Sequence, residues 1–232
     1  FGNSIALVMG DTLYSHGNNM IFQSGFPRER VFAALSRLQD IVSFTVVGQA
    51  RDIYMEYKQE ATETEILNMY RNKTAKYTVE GPLHLGAILA GASEEHLKHL
   101  SAYAIPLGIA FQIQDDILGM FGSEERIGKP VGSDIAEGKL TLLVARALRN
   151  ATSDEKTRIK EILARGSALT EAERVEFCTL IEKTGALAEV KALAEDYIKT
   201  GQQALLALRT EVAEESYTFL EGIAIYMTKR EL

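Results

Sequence analysis

Two adjacent carboxylates, Asp115 and Asp116, stand near the end of an apolar run, and two lysines, Lys129 and Lys139, follow them across a Gly- and Pro-bearing loop. The stretch from Phe111 to Thr141 reads FQIQDDILGMFGSEERIGKPVGSDIAEGKLT. Carboxylate oxygens suit a hard cation, and lysines a short distance on suit an anion, so the set fits a metal–phosphate site. Mg²⁺ is commonly held this way, by one or two carboxylates and the phosphates of its substrate. An acid pair followed by glycine also fits a solvated helix end, and the spacing alone does not separate the two. Gln112 and Asp115 are three apart and Asp115 and Gly119 four apart, which puts all three on one face of an otherwise apolar helix. Burying a glutamine and a carboxylate there is costly unless they meet partners. Further upstream, Lys73 and Tyr77 share a helix face at a spacing of four, although Lys73 taken alone reads as a surface charge.

The elements that must position these residues are helices. Apolar residues recur at a period near 3.6 and no run alternates with period 2, so one all-α domain over residues 1–232 is expected. Gly2 to about Ser24 reads as a helix. Pro27 opens the next, predicted to reach about Gln49 with Val31, Leu35, Leu38, Val42 and Val46 on its apolar face. Thr62 and Glu65 form a capping box for a helix through Lys73 and Tyr77, and Gly81-Pro82 should kink it before LHLGAILAGA. Ser93 caps a helix that runs through Pro106 to the acid pair. A loop is expected from Met120 to Gly138, a helix from Lys139 to Asn150, and another from Ser153 to Ala164. Thr170 and Glu173 cap the next, and two amphipathic stretches, Gly185–Leu208 and about Glu214–Lys229, complete the chain.

Composition narrows the function. A net charge of −7 and a pI near 5.3 argue against a general nucleic-acid binder. The single cysteine, Cys178, allows no disulfide within the chain and fits a reducing, cytoplasmic setting; its simplest reading is a small apolar residue on a helix. No apolar run approaches the length of an integral membrane span by inspection. The four histidines, His16, His84, His96 and His99, are scattered and form no Ser-His-Asp arrangement. His96 and His99, three apart, suit a metal pair or a solvated helix face.

FQIQDD, then GKPVGSDIAEGKLT, with KTA upstream and GQARD before that, together resemble the trans-isoprenyl diphosphate synthases of the polyprenyl synthetase family, over essentially the whole chain. FGNSIALVMGD and EKTGALAEV match other family helices. The resemblance implies a bundle of helices around a central apolar cavity and a Mg²⁺-dependent reaction. In it, an allylic diphosphate ionises and isopentenyl diphosphate attacks the resulting cation. The resemblance assigns the metal to Asp115 and Asp116, and the allylic diphosphate to Lys73, Lys129 and Lys139. It turns Thr74, Tyr77 and Gln112 toward the cation, places Arg230, with Lys229, on the isopentenyl diphosphate side, and implies a homodimer whose surface lies in the helices from Phe1 to Gln49. The variants KTAKYTVEGPLHLGA and DDILGMFG are closest to geranylgeranyl- or farnesyl-producing members.

Two departures stand out. The fullest second motif is Asp-Asp-x-x-Asp, and here Gly119 takes the last position. The family's first Asp-rich motif, expected before the segment matching Phe1, is not in the sequence, and Asp11 is no substitute; the chain also opens without Met. The expectation is that N-terminal helices were removed or not included. A non-catalytic partner subunit of the same fold is the alternative. A terpene cyclase is a third reading, which the absence of its Asn/Ser/Glu metal triad and the presence of the loop lysines disfavour.

Overall fold

The computed structural model describes residues 1–122 and 132–228, and every regular element among them is helical. In chain order these are α1 (Gly2–Phe22), α2 (Arg28–Lys58), α3 (Glu63–Tyr70), a π-helical segment (Arg71–Glu80), α4 (Gly81–Ala90) and α5 (Glu94–Phe121). From Ser133 onward come α6 (Ser133–Ala136), α7 (Leu142–Asn150), α8 (Ser153–Leu163), a 3₁₀ turn (Gly166–Ala168), α9 (Glu171–Lys183), α10 (Ala186–Leu208) and α11 (Glu214–Thr228).

The caps foreseen from sequence form. Thr62 and Glu65, and Thr170 and Glu173, make reciprocal capping boxes, a third closes between Thr152 and Glu155, and the Ser93 hydroxyl accepts the His96 N–H. Each relieves orphan N–H groups at a helix start. Pro106 is accommodated inside α5, which continues unbroken to Phe121.

Four expectations need correction. First, α2 runs on to Lys58, well past Gln49, and buries Val31, Ala34, Ile41, Gly48, Asp52 and Met55. Val46 is exposed and Leu35, Leu38 and Val42 are only half-buried, because packing partners on one side of α2 select its face, and hydrophobicity alone does not. Second, no kink is needed at Gly81-Pro82. The irregularity lies earlier, as i→i+5 winding from Arg71 to Glu80, and Pro82 sits in the first turn of α4, where its missing N–H costs nothing. Third, α7 begins at Leu142 with Thr141 as its cap, so Lys139 precedes the helix and belongs to its entry segment. Fourth, α2 is long and apolar enough, by length and composition alone, to cross a membrane, with Arg37 and Asp40 the only charged residues between positions 31 and 50.

Two adjoining clusters make up the core. One joins the end of α2, α3, the second half of α5, and α6 through the first half of α10, around Tyr70, Ile113, Leu143, Ile159 and Phe177. The other joins the first half of α5 to the second half of α10 and to α11, around Tyr103, Leu107, Leu205 and Leu220. Between α2 and α5 the π segment is gripped at two glycines. A Cβ on Gly48 would lie 2.5 Å from the Lys73 backbone nitrogen, and one on Gly108 would lie 2.4 Å from Ala75 Cα. Only hydrogen at those positions allows such approach, and it fixes where Lys73 and Thr74 stand. In contrast, α1 buries no side chain.

Candidate active site

The segment that ends α3 and opens the π helix, the last turns of α5, the buried face of α2 and the entry to α7 meet at one small pocket. Asp52, Met69, Tyr70, Lys73, Gln112, Asp116, Lys139, Leu140 and Thr141 line it, around about 30 Å³. Lys73 forms an ion pair with Asp52 of α2. Lys139 pairs with Asp134 at 2.7 Å and with Glu137 at 3.0 Å. Burial alone would pull the Lys139 ammonium down, but these hydrogen bonds outweigh it and hold its pKa above the ordinary lysine value. Both cations are therefore positioned by carboxylates and turned to one space.

Between the lysines runs a chain of side-chain hydrogen bonds. The Thr74 hydroxyl donates to Gln112 Oε1 at 2.5 Å, and Gln112 Nε2 donates to Asp116 Oδ1 at 2.9 Å. The Tyr70 hydroxyl donates to Asp116 Oδ2 and accepts the Leu142 N–H at 3.1 Å. Burial pushes the Asp116 carboxyl up to about 7, against the pull of the Tyr70 and Gln112 hydrogen bonds. Tyr70, fully buried beside that carboxyl, is raised well above the ordinary phenol range by burial and then by Asp116.

The two acids are placed differently. Gln112 gives its hydrogen bond to Asp116, four residues on, and not to Asp115. Both oxygens of Asp116 accept hydrogen bonds from protein donors, which fixes its carboxylate at the edge of the pocket. Asp115 is half-buried and makes no hydrogen bond or ion pair with another described residue, so its oxygens are available. Gly119 is buried, and its carbonyl accepts the Gly132 N–H at 3.2 Å.

Of the other expected residues, Thr74 is brought into the cluster, whereas Tyr77 does not line the pocket and its side chain is 62% exposed. Lys129 and Arg230 lie outside the described residues. Three participants were not assigned a role from sequence: Asp52, Asp134 and Tyr70. A signal existed for Asp52, an acid at helical spacing from Gly48 and Met55. None existed for Tyr70, which reads as an ordinary core aromatic. His96 and His99 are not a bare solvated pair: His99 Nδ1 lies 2.8 Å from Glu211 Oε1, at the turn before α11, far from this pocket in the chain.

The donor chemistry fits a hard divalent cation. Mg²⁺ needs only one or two carboxylates besides substrate phosphates, and no group of three or more His, Cys, Asp or Glu side chains able to enclose a metal occurs among the described residues. Carboxylates also outnumber lysines here. Glu56, near Asp52, has its carboxyl raised first by partial burial and then by the Asp52 charge.

Comparison with known proteins agrees with this chemistry. Residues 1–179 match the polyprenyl synthetase family. The chain is 35% identical to the short chain isoprenyl diphosphate synthase of Methanothermobacter thermautotrophicus over 231 residues, covering 100% of this chain and 69% of that protein. It is 36% identical to the geranylgeranyl diphosphate synthase of Methanosarcina mazei, again over 231 residues, with coverage of 100% and 68%. The crystal structure of geranylgeranyl pyrophosphate synthase from Corynebacterium glutamicum, complexed with isoprenyl diphosphate and magnesium, superposes with a TM-score of 0.93 at 32% identity; the alignment covers 100% of this chain and 64% of that one. The chain thus spans about two thirds of the length of these relatives. On its sequence, its helical architecture and these likenesses, the chain belongs to the polyprenyl synthetase family.

Proposed function

We propose that this chain forms the allylic-diphosphate side of a magnesium-dependent trans-prenyltransferase. The enzyme joins isopentenyl diphosphate to an allylic diphosphate and yields a short all-trans prenyl diphosphate of the geranylgeranyl or farnesyl class. The observation that carries this reading is the convergence of Lys73 and Lys139 on one pocket lined by Asp116, the neighbour of Asp115, whose carboxylate makes no bond among the described residues.

In this reading Lys73, held by Asp52, and Lys139, held by Asp134, bind diphosphate oxygens as the allylic C–O bond breaks and its electron pair stays on the leaving group. Asp115 would hold a Mg²⁺ ion, which when bound would supply Lewis-acid neutralisation of the charge on that leaving group. The Thr74 and Gln112 oxygens present dipoles toward the carbon end. The double bond of isopentenyl diphosphate then forms the new C–C bond, and the proton lost passes to the released diphosphate, so no side-chain base is required. Lys129 completes the diphosphate lysines in the same reading, and Arg230 serves the isopentenyl side.

The remaining parts follow the family. Residues 1–232 act as one domain. A second copy covers α1, which leaves Leu7, Val8, Leu13 and Met20 exposed, and the pair forms a homodimer. The buried face of α2 carries Asp52 to the pocket, which supports a helix that packs on protein and does not span a bilayer. A cytoplasmic setting accords with the lone cysteine.

The test is an assay of the purified protein with Mg²⁺, isopentenyl diphosphate and dimethylallyl, geranyl or farnesyl diphosphate. Products longer by one isoprene unit or more are expected. Binding of pyrophosphate without turnover would assign the chain to the partner-subunit role. Failure to bind it would remove the reading altogether.

A further inference from the structure

We propose that Tyr70 is a positioning residue that holds the acid arm and the lysine arm of the site in register. The inference rests on the diphosphate reading and adds a residue to it. Tyr70 is the last residue of α3, whose start is fixed by the Thr62–Glu65 capping box, and its ring is fully buried in the core. The phenol hydroxyl makes two contacts that point in opposite directions. It donates to Asp116 Oδ2, next to Asp115 on α5, and it accepts the N–H of Leu142, the first residue of α7, three positions after Lys139.

The Leu142 N–H is one of the donors that a helix start leaves without an intrahelical partner. Thr141, the cap, uses its hydroxyl on the Val144 N–H instead, so the phenol is the protein group that satisfies Leu142. Accepting that N–H polarises the phenol and strengthens its bond to the carboxylate. Gln112 holds the other oxygen of Asp116, which leaves the carboxylate with a fixed plane. One oxygen atom thus links the turn of α5 that presents Asp115 to the segment that presents Lys139. The hydroxyl is engaged by these two partners, so its effect on a diphosphate is exerted through them. A phenylalanine would fill the same volume and make neither bond, which separates positioning from packing.

The experiment is titration calorimetry of the unaltered protein, Tyr70→Phe, Asp116→Asn and the double variant with Mg²⁺ and inorganic pyrophosphate, alongside thermal melting without ligand. Tyr70→Phe should weaken pyrophosphate binding roughly ten- to a hundredfold at a temperature where the variant is fully folded. The loss should shrink in the Asp116→Asn background, because the two residues act through one contact. A lower melting temperature with unchanged affinity would reduce Tyr70 to a structural residue and overturn the inference alone. No binding by the unaltered protein would overturn the diphosphate reading and this inference with it. If Tyr70→Phe is recovered unfolded, Asp116→Asn reports on the same contact: a tenfold or larger loss supports the inference and unchanged affinity overturns it.

Discussion

The π segment and α5 share two buried polar networks, and the two are built on different terms. At the pocket end, Thr74, Gln112, Asp116 and Tyr70 form a chain that contains a carboxylate and no cation of its own. Nearer the N-terminus of α5, Lys76 pairs with Glu80 at 3.3 Å, Ser101 donates to Glu80 Oε1 at 2.6 Å, and His84 Nε2 stands 3.0 Å from the Ser101 hydroxyl and 2.9 Å from the Leu97 carbonyl. That network carries its own counter-ion, and Lys76 also lies over the Phe44 ring at 4.2 Å. Its one loose end is the buried, unpartnered Nδ1 of His84. The first network orients groups at the edge of a space that an outside ligand can enter. The second is closed on itself and ties three elements together. A buried carboxylate without a cation costs stability, and its retention beside a free aspartate and two lysines is what a binding site requires.

That contrast can be broken in four ways. The largest effect belongs to Asp115. Replacing it with Ala should reduce Mg²⁺-dependent turnover by orders of magnitude and leave the melting temperature nearly unchanged, because the side chain has no bond to lose among the described residues. A parallel fall in stability would place Asp115 in the scaffold. Next is Lys73→Ala, expected to raise the KM for the allylic diphosphate about tenfold or more while sparing that for isopentenyl diphosphate. It should also lower stability, since Asp52 loses its partner. Steady-state kinetics with each substrate varied in turn decides this.

Changes in the closed network should show the reverse pattern. Ser101→Ala removes the donor to Glu80 and should cost about 1–3 kcal/mol in denaturant unfolding, with turnover per folded molecule little altered. A specific loss of turnover at unchanged stability would join the two networks functionally. The smallest effect is a pH dependence. His84 is held below its ordinary 6.5 chiefly by burial. Glu80 is held below 4.5, where burial works upward and the Ser101 and Lys76 contacts outweigh it. In both cases the unfolded chain binds more protons, so the contribution is complete above the ordinary value and lost as pH falls through the folded value. Melting temperature should therefore drop from about pH 6.5 downward, and His84→Gln should flatten the upper part of that slope. An unchanged slope would free His84 from the network.

Much of the scaffold was legible in the sequence where the signal is local. Thr62, Ser93 and Thr170 each announced a helix start through a side chain that bonds its own first turn. Gln112 stood out because a polar group on an apolar helix face demands partners, whereas Lys73 and Thr74 entered only through the family resemblance. The division of labour within the acid pair was not legible. Positions three and four away from Gln112 lie on the same side of an α-helix, and the choice falls to Tyr70, 46 residues distant in sequence. The buried face of α2 was misread for the same reason: Val46 and Ala34 differ in what they meet, and hydrophobicity cannot report that. The π winding left no trace in the apolar pattern, which is read against a period of 3.6.

That winding has a consequence for how the gene can vary. A helix bonded i→i+5 turns through a smaller angle per residue than one bonded i→i+4. Arg71–Glu80 therefore acts as a phase shifter, setting the azimuth of α4 relative to α3 while the axis stays continuous. Removing one residue there would let the stretch rewind as α-helix and rotate every later side chain around the axis, carrying Glu80 and His84 off α5 while Tyr70 stayed in place. The fold therefore depends on the length of this segment as well as on its residues.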